Sequence, residues 1–282
     1  MKSSGVQYHI PEGINGLELL TCSDANYYFL PHFHDSYCIW LNTRSAETYT
    51  CKGHSGVLQT GEIGIISPGE VHSNGVFESE SRQLLTFYLN ADLLQKVAAE
   101  RAGTSDTSME FRTDFHPDPD AYRRLIALWQ TLINSESSLE RKSALYEVIS
   151  LLINRYASHP QRQLDIGREQ KRTAREQKRT ARVIEQFNDR LDEDLRLDEL
   201  ADSVDCTPYY LIRFFKKAIG LTPHAYLLQL RLEKAKELLR QGQSIVDAAF
   251  ATGFSDQSHL TRHFKIKFGI TPGVYRGQVL GN

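Results

Sequence analysis

Residues 249–272 read AFATGFSDQSHLTRHFKIKFGITP. Within this stretch, Gln257–Phe268 places Leu260, Phe264 and Phe268 at i, i+4 spacing, the period of one apolar helix face. Ser255 or Asp256 precedes the run as a capping residue. Gly269 follows it where a left-handed terminating residue belongs, and Thr271-Pro272 comes next. Upstream, Ile245–Thr252 reads as a short helix in which Ala249 is small enough for a close crossing, and Gly253-Phe254 makes the turn. Short helix, turn and longer helix together predict a helix-turn-helix unit.

The unit occurs twice. Leu197–Val204 aligns with Ile245–Thr252 at an offset of 48. Leu211, Arg213, Phe215, Lys216, Gly220, Thr222 and Pro223 align with Leu260, Arg262, Phe264, Lys265, Gly269, Thr271 and Pro272 at an offset of 49, so the extra residue falls in the turn. Thr207-Pro208 starts the first longer helix with a cap and a proline at the first helical position. Leu211, Phe214 and Phe215 supply its apolar face. Between the units, Pro223–Arg240 is one continuous helical pattern, about 27 Å long at 1.5 Å per residue. A rod of that length suits two recognition helices set about one turn of DNA apart, ~34 Å.

The polar faces of the longer helices carry the chemistry. The first presents Tyr209, Tyr210, Ile212, Arg213, Lys216 and Lys217; the second presents Gln257, Ser258, His259, Thr261, Arg262 and Lys265. Gln, Thr, Arg and His reach base edges in a major groove, and Lys and Arg meet phosphates. Either helix alone reads equally well as a solvated surface. The matched Arg and Lys in both units favour double-stranded DNA as the partner.

Residues 183–282 resemble the DNA-binding domain of AraC/XylS-type transcription regulators. The resemblance rests on Ala249, Gly253-Phe254, Phe264-Lys265, Gly269, Pro272 and Tyr275-Arg276, with Leu260 standing where a Phe is usual. It implies base reading by Tyr209, Ile212 and Arg213 in the first longer helix and by Gln257, Ser258, His259 and Arg262 in the second. Ile212 is apolar where a polar residue is common, so the first helix is expected to read thymine methyls or fewer bases. The resemblance further implies a transcription activator that works as a homodimer, with RNA polymerase as a further partner.

The first ~90 residues differ in kind. Gly16–Cys22, Tyr27–Leu30, Tyr37–Asn42, Glu47–Cys51, Gly56–Leu58, Gly64–Ile66 and Gln83–Asn90 are short β-branched and aromatic runs punctuated by Gly, Pro, Asn and Ser. This spacing predicts a sandwich or small barrel. Pro31-His32-Phe33-His34-Asp35 and Gly61–His72 are similar to the cupin-type sensor domain that precedes the DNA-binding domain in many AraC-type regulators, which implies a small-molecule effector. The expected architecture is a two-domain α+β chain. Residues 1–158 form a cupin-like β-barrel with flanking helices, 159–182 a basic linker, and 183–282 an all-α double helix-turn-helix domain.

Metal cupins use His-x-His, a later His and a glutamate four or five residues after the second His. Cys38 or Ile39 stands at that place, so no metal and no cofactor is expected. His32 and His34 are two apart and share a face if the segment is a strand. If that face is internal, His34, His72 and an aromatic, Tyr37 or Trp40, line an effector pocket. The alternative is a set of structural histidines hydrogen-bonded near the barrel mouth. The alternative from another class is a metal-dependent cupin enzyme fused to a nucleic-acid-binding module, which stoichiometric iron or zinc lost on His34→Ala and His72→Ala would favour; no Ser/His/Asp order, phosphate loop or paired carboxylate stands out.

Past Asn90 the pattern turns helical. Ala91–Arg101 is a short helix, and Pro119–Asn134 and Leu139–Tyr156 are amphipathic helices that pack on their own barrel or form a dimer seam. Arg168–Ala174 and Arg175–Ala181 both read REQKRTA. One small apolar residue per copy gives no coiled-coil seam, so the segment reads as an exposed basic linker. As helix, one copy adds ~10 Å with only ~20° of phase drift.

Composition is consistent with this. The 282 residues hold 33 Lys+Arg against 35 Asp+Glu and are 40% hydrophobic, which excludes collagen-like, mucin-like and wholly disordered chains. Every apolar run stops short of the ~18–20 residues of a membrane span. MKSSGVQYHIPEG lacks the apolar core of a signal peptide, so a cytoplasmic protein is expected, with Cys22, Cys38, Cys51 and Cys206 as reduced thiols. The net charge of −2 conceals segregation. Residues 1–167 carry 13 basic and 20 acidic groups, 168–182 carry 7 and 2, and 183–282 carry 13 of each.

Overall fold

A computed structural model of the chain describes residues 5–78, 81–102, 110–111, 113–158 and 168–281. The chain divides into two compact units, residues 1–29 with 33–161, and residues 162–282 grouped with Leu30–His32. Those three residues are hydrogen-bonded within a sheet of the first unit and are described with it.

The N-terminal unit contains β1 (Val6–His9), β2 (Leu17–Cys22), β3 (Phe29–His32), β4 (Tyr37–Asn42), β5 (Glu47–Cys51), β6 (His54–Leu58), β7 (Ile63–Ile66), β8 (His72–Val76) and β9 (Leu84–Leu89). Helix α1 (Ala91–Ala102) follows, then β10 (Glu110–Phe111), β11 (Asp114–His116), α2 (Pro119–Asn134), α3 (Ser138–Tyr156) and β12 (Ala157–Ser158). One sheet has the order β1-β2-β9-β4-β7-β11 and the other β3-β8-β5-β6; β10 and β12 form a separate pair. The expected β-domain with flanking helices is present, but as two sheets rather than a closed barrel. Among the described residues the two ladders do not join.

Strand alternation divides the residues of the larger sheet. Leu17 and Leu19 of β2, Tyr37, Ile39 and Leu41 of β4, Ile63 and Ile65 of β7, and Leu85, Phe87 and Leu89 of β9 share one core with the helices. Helix α2 contributes Leu125, Leu128 and Leu132, and α3 contributes Leu145, Val148, Ile149, Leu152 and Ile153. The apolar stripes of α2 and α3 are therefore covered by the chain's own sheet, which leaves Ile133 and Leu139 as their exposed large apolar residues. Asp118 caps α2 through the Ala121 amide with Pro119 at the first position, and Ser137 caps α3 through the Glu140 amide.

On the opposite face of this sheet, Trp40 of β4 meets Tyr49 of β5, ring centroids 6.2 Å apart, which joins the two sheets. Beside them Arg82 and Glu47 form a buried ion pair at 2.7 Å. Asn74 also donates to Glu47, and Arg82 donates to the Tyr27 carbonyl, so the pair is satisfied on both sides.

The C-terminal unit is helical: α4 (Arg168–Asp189), α5 (Leu197–Ser203), α6 (Pro208–Ile219), α7 (Pro223–Arg240), α8 (Ile245–Ala251), α9 (Gln257–Phe268) and α10 (Pro272–Leu280). Of the segment expected as a linker, residues 159–167 lie outside the described residues. The rest is α4, which runs unbroken through both REQKRTA copies into Val183 and Phe187. Those two side chains are buried, with Phe187 against Phe215 and Tyr226. In the second copy Glu176 accepts from the Tyr210 hydroxyl at 2.7 Å, Arg179 donates to the Asp205 carbonyl at 2.6 Å, and Thr180 is buried. That copy is thus part of the helical unit's framework rather than a free spacer.

Candidate nucleic-acid interface and sensor site

The two helix-turn-helix units are built by the same local rules. Thr207 caps α6 through the Tyr210 amide, and Asp256 caps α9 through the His259 amide. Gly220 at φ 89° and Gly269 at φ 78° end these helices, each donating its N–H to a lysine carbonyl, Lys216 and Lys265. Both positions need the left-handed region that glycine enters without strain. Thr222-Pro223 and Thr271-Pro272 then cap and start the next helices, α7 and α10.

Leu211, Phe214 and Phe215 are buried under α6, and Leu260, Phe264 and Phe268 under α9. The other faces point outward. Arg213 and Lys216 are exposed on α6, with Tyr209 75% exposed at its start and Ile212 half-buried. Gln257, Ser258, Arg262 and Lys265 are exposed on α9, with His259 half-buried. All nine residues proposed from the sequence to contact DNA lie on these two helices, and none is part of the core.

Charge and packing shape the second helix further. The His259 ring lies 4.8 Å from His263 and 5.3 Å from Phe254, with Ser255 Oγ 3.2 Å from Nδ1. Burial, and then electrostatic repulsion from His259, Arg262 and His224, push the His263 pKa below its usual value. Hydrogen bonding from the His259 amide holds the Asp256 carboxyl below the usual range.

Helix α7 fixes the relation between the units. Its Arg231 donates to the carbonyls of Leu191 at 2.8 Å, Glu193 at 2.7 Å and Gly253 at 3.1 Å. One guanidinium thereby joins the loop before α5 to the turn of the second unit. Sequence periodicity gave no sign of this role, because Arg231 lies off the apolar stripe.

In the N-terminal unit the structure brings together His32, His34 and His72. All three are buried, and one ring nitrogen of each lies within 4.8 Å of the other two. His32 Nδ1 lies 2.7 Å from the Leu30 carbonyl oxygen, and His72 Nδ1 lies 2.9 Å from that of Glu70. A carbonyl only accepts, so both Nδ1 atoms carry the proton and Nε2 holds the lone pair. His34 packs 5.4 Å from His72 and 4.6 Å from Tyr88, ring to ring.

Of the two aromatics expected as alternatives, Tyr37 falls elsewhere. Tyr37 lies in the core under the helices, 5.3 Å from Phe111, because odd-numbered β4 residues face α1–α3. It does not join a pocket with Trp40, its neighbour three residues on, which faces the opposite way. Trp40 packs against Tyr49 and Phe115 and lies directly over Gly64, where a Cβ would approach its Nε1 to 2.6 Å. The residues that do surround the histidines are Tyr88 and Cys51, the latter opposite His72 in register. Strand β8, absent from the sequence expectation, supplies His72. A cleft of about 510 Å³ opens at a different place, between the β1–β2 turn, α1 and α3, where Lys96, Lys142, Tyr146 and Leu93 line it.

The family description "AraC-like ligand binding domain" matches residues 15–149, and "Helix-turn-helix domain" matches residues 200–278. The chain is 28% identical over 242 residues to the uncharacterized HTH-type transcriptional regulator YbfI of Bacillus subtilis, covering 82% of this chain and 81% of YbfI. It is 37% identical over 87 residues to the HTH-type transcriptional activator RhaS of Escherichia coli, a match of 30% of this chain and 31% of RhaS. Unsaturated fatty acid-bound ToxT of Vibrio cholerae shares the fold at a TM-score of 0.55 and 12% identity, over 94% of this chain and 96% of ToxT.

Proposed function

The chain belongs to the AraC family of transcription regulators, a family of DNA-binding proteins rather than enzymes, and we propose that it is an effector-controlled activator. The observation that carries this reading is the equivalence of α6 and α9. Each displays an arginine and a lysine, Arg213 with Lys216 and Arg262 with Lys265, at matching positions on an exposed face. The rod α7 holds the two helices so that one chain reads two successive major grooves.

In this reading Gln257, Ser258, His259 and Arg262 read base edges, as do Tyr209, Ile212 and Arg213, while Lys216 and Lys265 meet phosphates. The N-terminal unit binds a small effector, in keeping with the description of its matched domain. Effector binding changes how two DNA-binding units of a homodimer are presented to their half-sites. By reciprocity, DNA and effector then alter each other's affinity by the same factor. RhaS, an activator by name, supports activation, and an activator that binds promoter DNA would have RNA polymerase as a further partner. No described helix is long and apolar enough to cross a membrane, and a regulator of this kind acts in the cytoplasm.

A thermal-shift screen of the full-length protein against metabolites, followed by DNA binding with each hit, tests the reading. A hit that stabilises the protein and changes its DNA affinity supports it. A stabilising ligand that leaves DNA affinity unchanged contradicts the coupling.

A further inference from the structure

Three imidazoles buried side by side require an explanation. His32, His34 and His72 are 4%, 7% and 3% exposed, and each brings a polar ring into the interior. The Nδ1 protons of His32 and His72 are already committed to the Leu30 and Glu70 carbonyls. This is the arrangement that orients a metal-ligating imidazole: one nitrogen donates to a backbone oxygen, which fixes the tautomer and aims the lone pair of the other nitrogen.

The geometry points to a divalent transition-metal site of the zinc class formed by His32, His34 and His72. The three ring nitrogens already lie within 4.8 Å of one another. Ligands at ~2.0–2.1 Å around a tetrahedral ion need about 3.3 Å between nitrogens, which small ring rotations supply. The frame is rigid. His32 and His72 lie on the hydrogen-bonded neighbours β3 and β8, and the His34 carbonyl accepts from the Gly69 amide at 2.8 Å. An all-imidazole donor set suits zinc and its first-row neighbours and does not suit magnesium or calcium. Three protein ligands leave a fourth position for an exogenous donor. The assignment stands whether or not the unit also responds to a small effector.

The test uses untagged, metal-stripped full-length protein titrated with zinc against a chromophoric chelator, and cobalt as a spectroscopic probe. The site predicts one equivalent of tight zinc. It also predicts an intense four-coordinate cobalt d–d spectrum without thiolate charge transfer. His34→Gln and His72→Gln should each weaken zinc by at least about 100-fold, while His54→Ala, at an exposed histidine, should leave it unchanged. The wild-type cobalt spectrum keeps the test decisive if a variant misfolds. Absence of stoichiometric zinc, a six-coordinate or thiolate spectrum, or equal affinity in folded glutamine variants overturns the assignment.

Discussion

Lys267 Nζ lies 2.6 Å from Glu233 Oε1, with the two side chains only 2% and 13% exposed, so a buried ion pair joins helix α9 of the second helix-turn-helix unit to the rod α7. The lysine also lies over the Phe268 ring at 5.2 Å, as does Lys236 from α7 at 5.1 Å. Removing one partner leaves the other charge buried alone. Glu233→Ala is expected to cost about 3 kcal/mol, measured by denaturant unfolding of the full chain, and Glu233→Ala with Lys267→Met is expected to recover part of it.

Arg82 and Glu47 make the corresponding prediction for the sensor unit. Their pair is the more enclosed of the two, and Asn74 shares the Glu47 carboxylate. Glu47→Gln keeps the shape but strands the Arg82 charge. A loss of about 3 kcal/mol is expected, with unfolding followed by near-UV circular dichroism of the Trp40 environment. Unchanged stability would mean that solvent reaches Arg82.

Asp118 links pH to stability. Burial alone would raise its carboxyl, but hydrogen bonds from the Ala121 amide, the Tyr156 hydroxyl and Arg155, together with the Arg155 charge, bring it down to about 2. A carboxylate with a depressed folded-state pKa adds stability that is complete above its unfolded value near 4 and is lost as pH falls through 2. Acid titration of unfolding should show this loss between about pH 4 and 2, and Asp118→Asn should flatten it. At neutral pH the substitution should cost about 1 kcal/mol, because Asn still caps α2 but no longer pairs with the Arg155 charge.

How much of this was legible in the sequence follows from the range of the forces. Local signals placed α2, α6, α7 and α9 almost to the residue, because Asp118, Thr207, Thr222 and Asp256 cap them and Gly220 and Gly269 end two of them. The exposure of Arg213 and Arg262 followed from helical period alone. The pairing of sheets did not, since β8 is polar along HSNGV and β1 is only four residues long. Tyr37 and Trp40 are equal alternatives for a pocket aromatic by residue type, but odd spacing within a strand sends them to opposite faces and places Tyr37 in the core under the helices. The second REQKRTA copy looked like a solvated spacer, because its docking depends on Tyr210 and Asp205, partners remote in sequence.

That docking makes the duplication testable. Because the copies are identical, deleting seven residues leaves one REQKRTA that retains the contacts of Glu176, Arg179 and Thr180. Folding stability and the intrinsic DNA affinity of the helical unit should stay unchanged. The full-length protein should shift its preferred half-site spacing, since ~10 Å of helix is lost with little rotation. Loss of DNA binding in the deletion protein would instead make the first copy a phosphate-contacting arm. Glu176→Ala with Arg179→Ala should lower stability by about 1 kcal/mol in the same unfolding assay.

The most direct measurement is selection of binding sites from random duplex DNA by the full-length protein, run in parallel for wild type, Arg213→Ala and Arg262→Ala. Wild type should enrich two short motifs one helical turn apart, and each substitution should erase the preference at one motif. On the selected site Arg262→Ala should weaken binding by about 1–3 kcal/mol, roughly 5- to 150-fold. Enrichment of the same paired motif by all three proteins, with equal affinity, would contradict the assignment of α6 and α9 as the reading helices.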